Sequence, residues 1–336
     1  MMRILVTGGA GFIGSHLTER LLDDGHAVRV LDNLSSGHRA NLPLHPRLDF
    51  REGDIRRTAD VEAVMTEVDA VFHLAAVASV QASVDDPVGT NASNLVGTLN
   101  LLDAARRRRV QRFIYASSAA VYGNTAERPV QEESMPKPLT PYAADKLAGE
   151  HYLAFYSGRY GMRATAFRFF NVYGPRQDPQ SPYSGVISIF ADRARSGQPL
   201  TIYGDGSQTR DFVYVGDLVE VLARALDHDG ASGQVLNVGR GTECSLLDLI
   251  SEIERLIGAR VERRHAPPRD GDIRNSCADV RRLRERIGYV PHTPIGAGLR
   301  SLLEACPTIY RPLPEPERRS DGVAGGFDGA DSLLGG

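Results

Sequence analysis

"RILVTGGAGFIG" (residues 3–14) is the stretch that decides the fold. "RILVTG" (3–8) is a short apolar run rich in strand formers, and it leads into glycines at 8, 9, 11 and 14. "FIGSHLTERLLDDG" (12–25) then has helical spacing of its apolar residues and stops at Gly25. The loop contains GxGxxG through Gly9, Gly11 and Gly14, and GxxGxxG through Gly8, Gly11 and Gly14. Glycines are needed there for a tight turn, for close approach of backbone to a pyrophosphate, and for helix packed on strand. The free N–H groups and dipole of the following helix then favour an anion. A second strand, "AVRVLD" (27–32), ends in Asp32, 18 residues after Gly14. A carboxylate there accepts from both ribose hydroxyls of NAD and repels the extra phosphate of NADP. Asn33 and Leu34 follow, with Arg39 the first arginine beyond, so NAD is favoured.

The same alternation continues outward. "LDFREGD" (48–54), "DAVFHLAA" (69–76), "RFIYASS" (112–118) and "RATAFRFF" (163–170) read as strands, with long helices over 88–108 and 141–160 between them. Alternating β and α segments predict an α/β fold, a Rossmann-type doubly wound parallel sheet with helices on both faces. From residue 171 the pattern loosens into "NVYGPRQDPQSPYSG" (171–185), followed by short strands ("LTIYG", "RDFVYV", "QVLNVG") and helices ("DLVEVLARALDH", "LLDLISEIERLIG"). The expected organisation is a dinucleotide-binding domain over 1–170 and a smaller, partly discontinuous α/β substrate domain over 171–311. Segments near 212–240 are expected to return to the first domain. The Pro- and Gly-rich end, 312–336, is expected to be disordered.

Composition excludes several classes. A net charge of −3 gives no basic excess for nucleic acid or an anionic membrane. The run "RRRR" (106–109) ends an apolar helix, where cations suit the helix C-terminus. Three widely spaced cysteines (Cys244, Cys277, Cys306) suggest neither a disulfide framework nor a CxxC site, and the histidines form no HxxxH or HExxH pattern, so no metal is expected. His73 ends a buried strand among small residues and reads as a packed structural histidine. No apolar stretch approaches the ~20 residues of a membrane span, and the N-terminal apolar run is too short for a signal peptide, so a cytoplasmic protein is expected.

"TPYAADKLAGE" (140–150) sets Tyr142 four positions before Lys146, on one face of a helix. A free phenol, with pKa near ~10, is a poor base at neutral pH. An ammonium ~6 Å away at an effective dielectric of ~20 supplies about 3 kcal/mol toward the phenolate. The spacing therefore suits an activated tyrosine. Tyr142 also follows Ser118 by 24 residues, and Ser117 and Ser118 close the fifth strand at its carboxyl edge, where sheets of this kind bind ligands.

With these residues in place the sequence resembles the extended short-chain dehydrogenase/reductase family, and within it the nucleoside-diphosphate-sugar 4-epimerases typified by UDP-glucose 4-epimerase. "TGGAGFIGSHL", "GDIRR", "HLAA", "NLVGTLNLL", "SSAAVYG", "YAADK", "RFFNVYGPRQ", "TRDFVYV" and "RDGDIRNSCAD" carry the resemblance, in the family's order and spacing, over roughly residues 2–310. The resemblance implies that Tyr142 takes the proton of the sugar 4-hydroxyl, that Lys146 lowers its pKa and holds the nicotinamide ribose, and that Ser118 shares the hydroxyl's hydrogen bond. It implies a dinucleotide site built from Gly8, Gly11, Phe12, Ile13, Gly14, Asp32, Asn33 and Gly37, with Asp54 and Ile55 flanking the adenine. Leu74, Ala75, Ala76, Asn94 and Ala116 would complete it. On the substrate side Asn171, Arg210 and Arg269 would grip the diphosphate. Gly185, Val186 and Tyr203 would line the nucleotide, Asp272 would accept from its ribose, and Ser79 would face the sugar.

Related dehydratases and decarboxylases carry an acid just after the active-site Ser or Thr, and here those positions are Ala119 and Ala120. That implies 4-epimerisation through a transient 4-keto sugar, with tightly bound NAD regenerated in every cycle. Ser276, seven residues after Arg269, stands at the family's gatekeeper position, where a small side chain admits an N-acetyl group at C2. Glucose, N-acetylglucosamine and glucuronate sugars all stay open as substrates, as does a 4-ketoreductase on the same scaffold. The resemblance also implies a homodimer through helices 88–108 and 141–160.

Overall fold

A computed structural model describes residues 1–179, 185–268 and 273–305. Strands β1 (Arg3–Thr7), β2 (Ala27–Asp32), β3 (Leu48–Glu52), β4 (Ala70–His73), β5 (Arg112–Ser118) and β6 (Arg163–Phe169) alternate with helices α1 (Phe12–Asp23), α2 (Thr58–Val64), α3 (Val80–Asp85), α4 (Pro87–Asn91), α5 (Gly97–Arg107) and α6 (Pro141–Tyr160). Side chains alternate across the sheet, as period-2 strands require. Ile4, Val6, Val28, Val30, Phe72 and Ile114 enter one apolar layer. Leu5, Leu31, Val71, Phe113 and Tyr115 enter the other. Burying such side chains contributes about 1.5–3 kcal/mol each, which is why the strands are nearly continuous hydrophobic runs.

The rest of the chain adds β7 (Asn171–Tyr173), β8 (Leu200–Tyr203), β9 (Thr209–Arg210), β10 (Phe212–Tyr214), β11 (Val235–Val238), β12 (Cys244–Ser245) and β13 (Arg263–Ala266). It also adds α7 (Val186–Arg195), α8 (Val215–Arg224), α9 (Leu246–Ile257), α10 (Arg281–Ile287) and α11 (Ile295–Ala305). The main sheet is seven-stranded and parallel, in the order β11-β6-β5-β4-β1-β2-β3. The expected doubly wound fold is borne out. Strand order reverses between β1 and β4, and the crevice beyond their carboxyl ends is where such sheets take ligands. A third apolar cluster joins α7, α9, α11 and β8 through residues such as Phe190, Ile202, Ile250 and Leu299.

The structure departs from the sequence reading in two places. Of the stretch near 212–240, β11 enters the main sheet and α8 packs on α1, but Phe212–Tyr214 pairs in parallel with Asn171–Tyr173 in a separate two-stranded sheet. The helix expected over 88–108 is interrupted by a π-helical turn, Ala92–Val96, between α4 and α5. The extra residue rotates the face of the helix, and it carries buried Asn94 onto the chain after β4. The tail expected over 312–336, with Cys306, lies outside the described residues. Among the described residues no helix is long and apolar enough to cross a membrane.

Helix α6 lies very close to β5. An added methyl at Gly149 would sit 2.3 Å from the Tyr115 hydroxyl and 2.6 Å from its ring carbon. Gly149→Ala gains about 0.5–1 kcal/mol of helix preference, whereas overpacking a filled core costs about 1–3 kcal/mol. The steric term wins, so Gly149→Ala is predicted to lower the urea midpoint of unfolding. An unchanged or raised midpoint would contradict this packing.

Candidate active site

The glycine loop is shaped by contacts that no side chain could share. Gly8 has φ +70°, and a Cβ there would lie 2.7 Å from the Ala75 nitrogen. A Cβ on Gly14 would lie 2.1 Å from the Gly8 carbonyl oxygen. The loop thus turns tightly at the end of β1, against the start of the segment after β4. Gly11 caps α1 with no side-chain hydrogen bond, so the first N–H groups of α1 face the crevice unclaimed by a cap.

Asp32 ends β2 beside this loop. Its Oδ2 accepts from Ala10 N at 2.9 Å and its Oδ1 from Leu34 N at 2.8 Å, which fixes the carboxylate at the crevice edge. Gly37 packs on Ala10, with the neighbouring His38 N–H donating to the Ala10 carbonyl at 3.0 Å. Asn33 donates to Asp54 at 3.4 Å. Asp54 is clasped by the Arg56 guanidinium, which lowers its pKa to about 2 and keeps it ionised. Ile55 is buried under Gly97 of α5. Phe12, Ile13, Leu74, Ala75 and Ala76 are all half-buried around the same crevice. Asn94 accepts from Val77 N at 2.8 Å and donates to Val77 O at 3.1 Å, so the π-turn clamps the chain that follows Ala76.

His73 is the structural residue the sequence suggests, 1% exposed and hydrogen-bonded through both ring nitrogens, to Thr7 and Thr98, at 2.8 Å each. Because Thr98 donates to the Asn94 carbonyl, its oxygen accepts from the His73 Nε2–H, and Nδ1 accepts from Thr7. Burial, followed by the nearby charge of Lys146, drops the His73 pKa to about 3, so the ring is neutral.

Ser118, Tyr142 and Lys146 come together at the carboxyl end of β5. Thr140 caps α6 by accepting from Ala143 N, and Pro141 occupies the first helical turn, so the helix begins just before Tyr142. The Ser118 hydroxyl lies close enough to the Tyr142 phenol to favour its phenolate. Ser118 Oγ also accepts from Ala120 N at 3.1 Å, which fixes its rotamer. Lys146 Nζ donates to Ala116 O at 2.7 Å and stands 5.9 Å from the centre of the Tyr142 ring. Burial lowers the Lys146 pKa to about 8, opposed by the charges of Asp145 and Glu150.

Tyr142 differs from the expectation. Burial holds its phenol above the ordinary value, and the neighbouring Ser118 hydroxyl pulls it only part of the way back. Desolvation disfavours the phenolate more than the surrounding groups favour it.

Apart from Ser79, the residues expected on the substrate side fall on loops, short strands and a helix start in the second half of the chain. The Asn171 N–H donates to Asp211 O at 3.1 Å, placing Asn171 beside Arg210, which donates to Thr209 O at 2.8 Å. Gly185 and Val186 open α7, and Tyr203 ends β8. Ser276 is half-buried between Asn275, bridged to Thr209, and Cys277, whose carbonyl accepts from Val130 N at 2.8 Å. Ser79 is more enclosed than expected, 6% exposed, with Oγ accepting from Ala82 N at 2.9 Å to cap α3. Its hydroxyl hydrogen and second lone pair are left to offer. Arg269 and Asp272 lie outside the described residues.

Sequence reasoning missed a buried layer beneath these groups. Glu150, one turn after Lys146 on α6, pairs with Arg168 of β6 and accepts from Ser117. Its one local signal is the four-residue spacing from Lys146.

The profile of the NAD dependent epimerase/dehydratase family matches residues 4–239. A UDP-glucose 4-epimerase of Mycolicibacterium smegmatis is 43% identical over 309 residues, covering 90% of this chain and 98% of the relative. A UDP-glucose 4-epimerase from Thermotoga maritima, solved with UDP-glucose, superposes with a TM-score of 0.87 at 38% identity, over 90% of this chain and 98% of the other. A Thermus thermophilus UDP-glucose 4-epimerase, solved with NAD, superposes at 0.84 with 41% identity, again over 90% and 98%. Agreement of the profile, a full-length relative and the glycine-loop geometry leaves one assignment: the chain belongs to the NAD dependent epimerase/dehydratase family.

Proposed function

We propose that this protein interconverts UDP-glucose and its 4-epimer, using NAD as a retained cofactor. The observation that carries the reading is the convergence of Ser118, Tyr142 and Lys146 at the carboxyl end of β5, where Lys146 bonds the Ala116 carbonyl, followed by Ala119 and Ala120 where an acid would promote elimination. The full-length likeness to UDP-glucose 4-epimerases supports the sugar.

Gly8, Gly11 and Gly14 with the N-terminus of α1 would hold the dinucleotide's pyrophosphate, and Asp32 would accept from its adenosine ribose. When bound, NAD supplies the hydride acceptor and donor for C4 and a second positive charge beside the phenol. Tyr142 takes the proton of the 4-hydroxyl as its C–H bond breaks, and gives the proton back when the ketone is reduced. Ser118 holds that same oxygen, and the Lys146 charge, its Nζ 5.9 Å from the centre of the Tyr142 ring, favours the phenolate. Ala119 and Ala120 offer no acid at those positions to steer the ketone toward elimination. The ketone turns its other face and is reduced to the epimer. Asn171, Arg210 and Arg269 hold the diphosphate through this turn, while Gly185, Val186, Tyr203 and Asp272 hold the nucleoside. In this reading residues 1–170 carry chiefly NAD and 171–311 chiefly the nucleotide sugar.

The test is incubation of the protein, without added NAD, with UDP-glucose, UDP-N-acetylglucosamine or UDP-glucuronate, with products resolved by chromatography. Conversion of UDP-glucose to an equilibrium mixture with its 4-epimer, with no net NADH, is expected. No product without cofactor, but NAD(P)H consumption on a 4-keto sugar, would move the case to a ketoreductase. Tyr142→Phe should keep its dinucleotide yet lose about 10²–10⁴-fold in kcat.

Sugar selection is proposed to rest on Ser276. Ser276→Tyr is predicted to abolish turnover of the N-acetylated sugar while leaving that of UDP-glucose within about threefold. Equal losses on both would reject the gatekeeper role.

We further propose a homodimer. Val88, Val96, Tyr152, Phe155 and Tyr160 are exposed on the paired helices α4–α5 and α6, an apolar face that a second copy would cover. Sedimentation is predicted to give twice the chain mass at micromolar concentration, and a monomer would contradict this.

A further inference from the structure

The layer beneath the reacting groups holds a charge cluster that the proposed chemistry leaves without a task. The Glu150 and Arg168 side chains are 4% and 5% exposed. Arg168 Nε donates to Glu150 Oε1 at 2.9 Å and Nη2 to Oε2 at 2.7 Å, a two-pronged pair. The Ser117 hydroxyl donates to the same Oε1. Arg168 spends its remaining reach on Glu132 O at 3.1 Å and lies 4.7 Å over the Tyr122 ring. Tyr122 in turn donates to Asn237 of β11 at 2.6 Å.

A buried ion pair is a poor way to gain stability, because desolvation offsets most of the attraction, whereas it fixes geometry well. The elements tied here are those whose relative placement the chemistry needs. Ser117 and Arg168 are register partners on β5 and β6, and Ser117 directly precedes Ser118. Glu150 lies on α6 one turn after Lys146 and two turns after Tyr142.

We infer that Glu150 is a positioning residue: its carboxylate, clamped by Arg168 and Ser117, locks the end of β5 that presents Ser118 against the face of α6 that presents Tyr142 and Lys146, and it supplies a buried counter-charge for Lys146. The assignment rests on the proton-transfer roles proposed for those three residues. The groups around Lys146 are Tyr142, Asp145 and Glu150 on its own helix, Tyr115 on β5, 5.0 Å away at its ring centre, and neutral His73 on β4. Arg168 of β6 reaches the cluster through Glu150. Asp145 is held by Asn91 at 2.7 Å. Glu150 is therefore one of two anions that favour the charged form of Lys146 against burial, and that form is lost as pH rises through about 8.

Two variants separate the parts of this role. Glu150→Gln keeps the shape but removes the charge; kcat is expected to fall about tenfold with KM changed little, as a small misplacement of reacting groups does. Its alkaline limb should also move down by about one pH unit. Ser117→Ala cuts the tether to β5 and leaves the ion pair whole; kcat should fall about threefold, with the limb unmoved. A kcat within about 1.5-fold of the unaltered protein in either variant, or a limb that stays in place in Glu150→Gln, overturns the assignment. If Glu150→Gln does not fold, Ser117→Ala decides alone by the same criterion. The unaltered protein and Tyr142→Phe are run alongside: an unaltered protein inactive on every UDP-hexose, or a fully active Tyr142→Phe, removes the underlying reading and the assignment with it. Normal behaviour of those two controls confines any failure to Glu150.

Discussion

The hydrogen bond from Lys146 to the Ala116 carbonyl is the contact on which the rest of the site depends. A buried ammonium is costly unless its donors are met, and here the main chain of β5 meets one of them at 2.7 Å. That single bond ties α6 to the strand carrying Ser118, and it sets how far Lys146 stands from Tyr142. The close packing of Gly149 on Tyr115 makes the approach sterically possible. Thr140 and Pro141 set where α6 starts, so that Tyr142 falls in its first turn. Each of these features matters because of the others, and a shift of one turn in any of them would part the serine from the phenol.

Much of this was legible in the sequence because it is local. The glycines between β1 and α1, the carboxylate that ends β2, and the four-residue gap from Tyr142 to Lys146 each have a fixed geometric meaning once the element type is known. The sheet followed from alternation alone, and His73 read correctly as a packed residue. Non-local features escaped. The π-turn at Ala92–Val96 depends on Asn94 finding the main chain of Val77, seventeen residues earlier. The Glu150–Arg168–Ser117 cluster joins a helix to two strands, and each residue taken singly looks like an ordinary surface or strand residue. Phe212–Tyr214 reads as a sheet strand, yet it finds its partner in Asn171–Tyr173, because Asn171 N–H already bonds Asp211 O next to it. The phenol's upward shift also escaped, since spacing conveys the nearby cation but not the cost of burial.

The electrostatics divide the labour between protein and cofactor. Half-buried, the Tyr142 phenol is held a weaker acid than usual by desolvation, and buried Lys146 is brought close to losing its proton. Both groups are therefore sensitive to one further charge, and a cationic ring alongside would lower the phenol's pKa while the sugar is in place.

The most direct measurement uses UDP-glucose deuterated at C4, incubated with the protein as purified and no added dinucleotide. The account predicts a 4-epimer that retains the deuterium at C4, because the same hydride leaves and returns within one closed site. Loss of the label to solvent, or a product that forms only with added NADH, would contradict it.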